Sequence, residues 1–188
     1  MSELFNELIV LKEIQIECLQ RGVVLRGATT IGPMYVDPDP AGPVFGPGLV
    51  EAFEMESREV LYPRIAVHSD VVERYKNDAD AALAASYAVD REMVALLLTQ
   101  DGVGLNYIDY IRMIVDDQNW TADEVFGFLQ LHRSRIDKGL QARTGSIRRK
   151  YTWLRDYHNK SIDYALTSGS IWFDKIGPAN WEALRIAG

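Results

Sequence analysis

One cysteine, Cys18, is all the chain has, so no disulfide can form within it. The residue falls on the apolar side of a predicted helix, where it reads as a small core residue and not as a reactive thiol. No stretch approaches the roughly 18 consecutive apolar residues of a membrane-spanning helix, so a membrane is not an expected partner. Positive charge is in deficit: 20 Lys and Arg against 27 Asp and Glu leave a net charge of −7. A nucleic-acid surface needs a basic footprint, so nucleic acid is not an expected partner either. A nucleotide remains compatible, because the local field of a pocket and not the total charge decides its binding. The first residues are acidic and lack a basic segment, which reads as no secretory signal. A reducing, cytoplasmic compartment is the expectation.

Other absences narrow the chemistry. His68, His132 and His158 stand far apart and show no zinc-ligand spacing. The last two fall on apolar helical stripes and read as satisfied core histidines. Gly42, Gly46 and Gly48 are not followed by Gly-Lys-Ser/Thr, so they do not form a phosphate loop. Arg148-Arg149-Lys150 is a charge run that reads as solvated.

What is present suits one domain, or one domain with a helical appendage, since 188 residues at 47% hydrophobic content support a sizeable core. Ser2 caps a predicted helix over about 3–21, with Leu4, Leu8, Leu11, Ile14, Cys18 and Leu19 as its stripe and Gly22 as its stop. Val23 to Ile31 is rich in β-branched residues and reads as a strand. Met34 to Val36 and Val44-Phe45 read as short partners across a Pro/Gly/Asp turn. A helix is expected over about 48–61, ended by Tyr62-Pro63, and a short strand over 64–67. Helix is expected over 70–90 and a strand over 93–99. Gln100-Asp101-Gly102 reads as a turn, with a return strand over 104–110. Two long helices complete the pattern. Thr121 and Glu124 form a capping box for one to about 139, and the other runs over about 146–167. The last twenty residues read as an aromatic tail packed back on the domain.

The motifs lie in the first third and near the end. Arg26-Gly27-Ala28, Ile31-Gly32 and the run Phe45-Gly46-Pro47-Gly48-Leu49-Val50-Glu51-Ala52-Phe53-Glu54-Met55-Glu56 come first, followed by Tyr62-Pro63-Arg64-Ile65. Asp101-Gly102, Ile108-Asp109-Tyr110 and Lys150-Tyr151-x-Trp153-Leu154-x-x-Tyr157-His158-Asn159 come later. Together they resemble class III nucleotidyl cyclases. The likeness is strongest to bacterial pyrimidine (uridylate or cytidylate) cyclases of the Pycsar antiphage system.

The resemblance implies an α+β fold. It would be a partial, ferredoxin-like cyclase sheet with flanking helices over 1–115 and a C-terminal helical pair over 116–188. It implies cyclisation of a pyrimidine nucleoside triphosphate, UTP favoured and CTP the alternative, to a 3′,5′-cyclic mononucleotide. That product would be an antiviral second messenger for a separate effector that it reaches without direct contact. It implies a homodimer and Mn²⁺ or Mg²⁺. The two metal-binding aspartates of the family precede the region matched here, so no metal ligand and no catalytic residue carries over. The chain as given is therefore expected to be inactive alone. Val50 stands at the family's transition-state asparagine, Glu54 at its arginine, and Pro43 near its base-recognising acid. An alternative is therefore a non-catalytic cyclase-homology module that dimerises or binds a nucleotide.

Two substrate-binding candidates remain. Arg26, beside Gly27, could grip phosphate or a pyrimidine carbonyl, or lie on a solvated strand face. Arg64 could reach phosphate, or pair with Glu56 or Glu54. Asp37 and Asp39 resemble a metal pair, but in a Pro-rich turn they read as turn formers.

Overall fold

The computed structural model describes residues 3–77 and 87–188. The protein is α+β, and the chain divides into two compact units. A sheet unit holds the chain to Lys12 and Leu25–Ile108. A helical unit holds Glu13–Val24 and Asp109–Gly188.

The first helix, α1 (Glu3–Gln20), contributes its first half to the sheet unit and its second half to the helical unit. Its buried positions are Phe5, Leu8, Lys12, Gln15, Ile16 and Leu19, steps of three and four that define one face. The expected stripe is rotated: Ile14 is exposed, and Phe5 and Ile16 take its place. Gly22, at φ 81°, closes the helix, and Val23 donates its N–H back to the Cys18 carbonyl. That closure uses residues predicted to begin a strand, so the ladder starts later, at β1 (Gly27–Thr29).

A ribbon of β2 (Tyr35–Val36) and β3 (Val44–Phe45) follows, antiparallel, with Tyr35 opposite Phe45 and their rings 4.8 Å apart. Helix α2 (Pro47–Arg58) starts on a proline, whose missing N–H is no loss in a first turn. It ends before the expected residue 61. Strand β4 (Ile65–Val67) is wholly buried and central, parallel to β1 on one side and antiparallel to a later strand on the other. Helix α3 (Ser69–Lys76) is capped by His68, whose ring nitrogen accepts the Asp70 N–H. The expected helix over 70–90 is described to Lys76 and again from Tyr87; 78–86 lie outside the described residues.

The strand expected over 93–99 is instead helix for most of its length. Helix α4 (Tyr87–Leu97) continues to the edge of β5 (Leu98–Gln100). Met, Ala and Leu favour helix over strand, and buried Val94 and Leu97 lie three apart on one face. Strand β6 (Asn106–Ile108) stops short of 110 because the Asp109 carboxylate accepts the Arg112 N–H and starts helix α5 (Tyr110–Asp116). The four-stranded sheet has the order β1-β4-β6-β5.

The helical unit is built on α6 (Ala122–Ala142) and α7 (Gly145–Ser168), with α5. Two short tail helices, α8 (Phe173–Ile176) and α9 (Pro178–Ala183), complete it. The Thr121–Glu124 capping box forms as predicted. Ile136, Leu154 and Ile186 are a core into which Val24, Leu140 and Tyr151 pack. No helix among the described residues is long and apolar enough to cross a membrane.

Candidate functional site

The motif residues of the sheet unit gather around α2. Its N-terminus is set by a close approach of backbone to backbone. A Cβ on Gly32 would sit 2.7 Å from the Gly48 Cα, so neither position tolerates a side chain without a shift. Thr30 Oγ donates to the Gly48 carbonyl, and Gly48 N–H to the Pro33 carbonyl. These contacts tie the end of β1 to the start of α2. Gly27 has no such role, because a Cβ there would meet only Ile65 at 3.8 Å.

Arg26 leaves the backbone directly before β1. Its guanidinium donates to the Val60 carbonyl at 3.0 Å and pairs through Nε with Glu56. It is neither on an open strand face nor directed at solvent: it closes the C-terminal end of α2. Arg64, directly before β4, is buried and pairs with Asp101 at 2.6 Å, not with Glu56 or Glu54. Glu56 is taken by Arg26, and Glu54 faces Arg58 one turn on. The Arg64 guanidinium also lies over the Tyr107 ring at 4.9 Å and nearer its edge of reach over Tyr62 at 5.9 Å. The two arginines adjoin along the backbone, since Gly27 N–H donates to the Arg64 carbonyl.

Asp101 does two jobs. One carboxylate oxygen receives Arg64, and the other accepts the N–H groups of Val103 and Leu105 at 3.0 and 2.9 Å. Partial burial works to raise its pKa, but hydrogen bonds from Leu105, Arg64 and Val103 outweigh that and hold it below the usual carboxylate value. The loop 101–105 is thereby shaped around one carboxylate.

That loop is one wall of a cavity of about 330 Å³. Val103, Gly104, Leu105 and Asn106 form the wall; Met55 of α2 and Glu59 just past its end face them, and Val67, His68 and Ser69 close the end. Arg26 and Arg64 do not line this cavity. Each stands behind a wall, Arg26 bracing the end of α2 and Arg64 bracing the loop through Asp101. The sequence singled out both side chains but not their partners, because Asp101 is 37 residues from Arg64 and no local pattern links them.

Val50 and Glu54 lie on the outer face of α2. Around them Tyr35, Val36, Val44, Phe45, Leu49 and Phe53 are all exposed, Phe53 at 68%. The ribbon leads directly into this helix through Phe45-Gly46-Pro47, and both present exposed apolar side chains on the sheet unit.

A cation site does not fit the described residues, among which no group of three or more His, Cys, Asp or Glu gathers. Asp37 and Asp39 are turn formers: Asp37 accepts the Asp39 N–H, and Asp39 accepts the Ala41 N–H. Asp109-Tyr110 and the motif from Lys150 to Asn159 are absorbed into the helical unit. Tyr157 donates to Asp109 at 2.7 Å, Asn159 makes two hydrogen bonds to the backbone of Ile186, and His158 is fully buried. Arg148 and Arg149 are exposed, as expected of a solvated run.

No protein-family model, no curated protein and no solved structure matches this chain.

Proposed function

We propose that the protein is a pyrimidine nucleotide cyclase homologue. It would work as a homodimer in the cytoplasm and bind a pyrimidine nucleoside triphosphate, UTP before CTP. In the reaction the ribose 3′-oxygen bonds to the α-phosphorus, pyrophosphate departs, and the hydroxyl proton is released to solvent. The 3′,5′-cyclic mononucleotide serves as an antiphage signal to a separate effector. The observation that carries this reading is the exposed apolar surface of α2 and the β2–β3 ribbon. Phe45, Leu49, Val50 and Phe53 within it belong to the motif that resembles the cyclases, and a second subunit would cover it. Mn²⁺ or Mg²⁺ would neutralise phosphate charge when bound. The described residues offer no site for it, so the reading needs carboxylates from another polypeptide segment.

A second reading is favoured by a specific arrangement. Arg26 and Arg64 are both engaged with carboxylates, and Val50 and Glu54 stand where the resemblance places a hydrogen-bond donor and a cation. A module so built dimerises, or binds a nucleotide, without turning it over.

Chromatography after incubation with each of the four triphosphates and Mn²⁺ separates the readings. A chain extended by its upstream reading frame is expected to form a cyclic pyrimidine nucleotide, and Arg26→Ala to lose it. The 188 residues alone are expected to form none. Triphosphate binding by the extended chain with no product would leave the second reading standing.

A further inference from the structure

The helical unit encloses a chain of polar groups that the proposed reaction does not use. His132 on α6 and His158 on α7 are both fully buried, their rings stacked at 5.0 Å, with Nδ1 facing Nδ1 at 3.1 Å. Beyond them, His158 Nε2 lies 3.0 Å from the Leu184 carbonyl, and His132 Nε2 lies 2.7 Å from the Tyr110 hydroxyl.

With both imidazoles neutral, these four groups allow one arrangement of protons. A carbonyl oxygen can only accept, so His158 carries its proton on Nε2 and donates to Leu184. Its Nδ1 is then a bare acceptor, which requires His132 to donate from Nδ1. His132 Nε2 is bare in turn, and the Tyr110 hydroxyl donates to it. Every donor faces an acceptor while both imidazoles are neutral. One more proton on His158 sets N–H against N–H at 3.1 Å, or drives the His132 proton to Nε2, where it meets the hydroxyl hydrogen of Tyr110. One more on His132 sets N–H against the hydroxyl hydrogen and forces Tyr110 to turn away.

We propose that His132 and His158 form a proton-intolerant clasp that holds the segment Leu184–Ile186 on α7 at neutral pH and releases it on mild acidification. The neighbouring groups do not rescue the charged form. Tyr157 on α7 is committed to Asp109, and Asp109 also caps α5. On α6, Arg133 opposes a charge on His158 and Asp137 favours it. Arg185, on the segment itself, is held by Asp163 and Glu182. Burial first, and then the neighbouring imidazole, hold His132 well below the ordinary histidine value; burial brings His158 to about 4.

The sign follows from linkage. The unfolded chain takes up a proton near pH 6.5 that the folded unit refuses, so stability is full above pH 6.5 and falls as pH drops toward about 4. Between pH 7.5 and 5.0 the folded-to-unfolded ratio of the unit is expected to fall about 30-fold for one such histidine and up to about 1,000-fold for the pair.

The test uses the intact chain. Long-range ¹H–¹⁵N spectra at pH 7.5 are expected to show His158 protonated on Nε2 and His132 on Nδ1; the reverse tautomers overturn the proposal. The protection factor of the Ile186 amide, whose N–H donates to Asn159, is expected to fall at pH 5.0 before those of the α6 core. His158→Gln keeps a donor for Leu184 and an acceptor for His132 but cannot titrate, and it is expected to remove most of that fall. An equal fall in both proteins overturns the proposal. If His158→Gln does not fold, the wild-type titration decides: Ile186 protection unchanged down to pH 5.0 overturns it.

Discussion

The two units solve the problem of burial differently. In the helical unit, long helices bring Leu129, Ile136, Leu154, Ile162 and Trp181 to zero or near-zero exposure. Its buried polar groups Tyr110, His132, His158 and Tyr157 find partners inside the same unit. Among the described residues of the sheet unit no strand exceeds three residues, and one of them, β4, is fully buried. Tyr35, Val36, Val44, Phe45, Val50 and Phe53 remain in solvent. A short ladder buries little side-chain area, so this unit leans on ion pairs at Arg26 and Arg64 to fix the ends of its elements. Its surplus apolar surface is then available to bind. The lesson is that the unit with the weaker core also leaves more large apolar side chains in solvent.

The largest effect is expected where the sheet unit depends on one buried pair. Arg64→Ala leaves Asp101 without its cation and loosens the loop that Asp101 organises. Removing one partner of a buried pair costs about 3–5 kcal/mol, read as a lower urea midpoint. A loss below about 1 kcal/mol would show that the sheet unit holds itself without the pair.

In the helical unit the sharper probe is steric. A Cβ at Gly139 on α6 would lie 2.2 Å from the Tyr151 ring on α7. Gly139→Ala is expected to lose about 1–3 kcal/mol through overpacking, despite alanine's better helix propensity. Gly127→Ala on the same helix meets nothing within 4 Å and serves as the control. If the two variants melt alike, the helical unit is not tightly packed there and the contrast with the sheet unit fails.

The smallest effect on folding is expected at Phe53. Because the side chain is 68% exposed, Phe53→Ser should shift stability by no more than about 0.5 kcal/mol. Sedimentation should nevertheless show a dimer replaced by a monomer. A monomeric wild-type chain would separate the apolar surface from self-association.

Much of the helical unit could be read ahead of the structure. The capping box at Thr121 and the buried placement of His132 and His158 follow from spacing along one helix. The sheet unit was legible in order but not in extent. β1 is three residues instead of nine, because the closure of α1 takes up Val23. The stretch over 93–99 reads apolar in either state, and only its packing makes it α4.

At the candidate site the chemistry-bearing residue types were visible, but what they face was not. Arg26 and Arg64 stand out in the sequence beside Gly27 and Pro63. Which carboxylate each one meets depends on separations of 30 and 37 residues, closed by the β1–β4–β6 ladder. By itself the sequence determined the element order of the sheet unit, the Thr121 capping box and the acidic, cysteine-poor character of the chain, because those arise from interactions within a few residues or from composition. The tertiary structure alone decided that Arg26 meets Glu56 and Arg64 meets Asp101 without lining the cavity beside α2, and that two distant histidines face each other at hydrogen-bond distance. A long-range pair forms only where folding repays the entropy of closing the chain between its members.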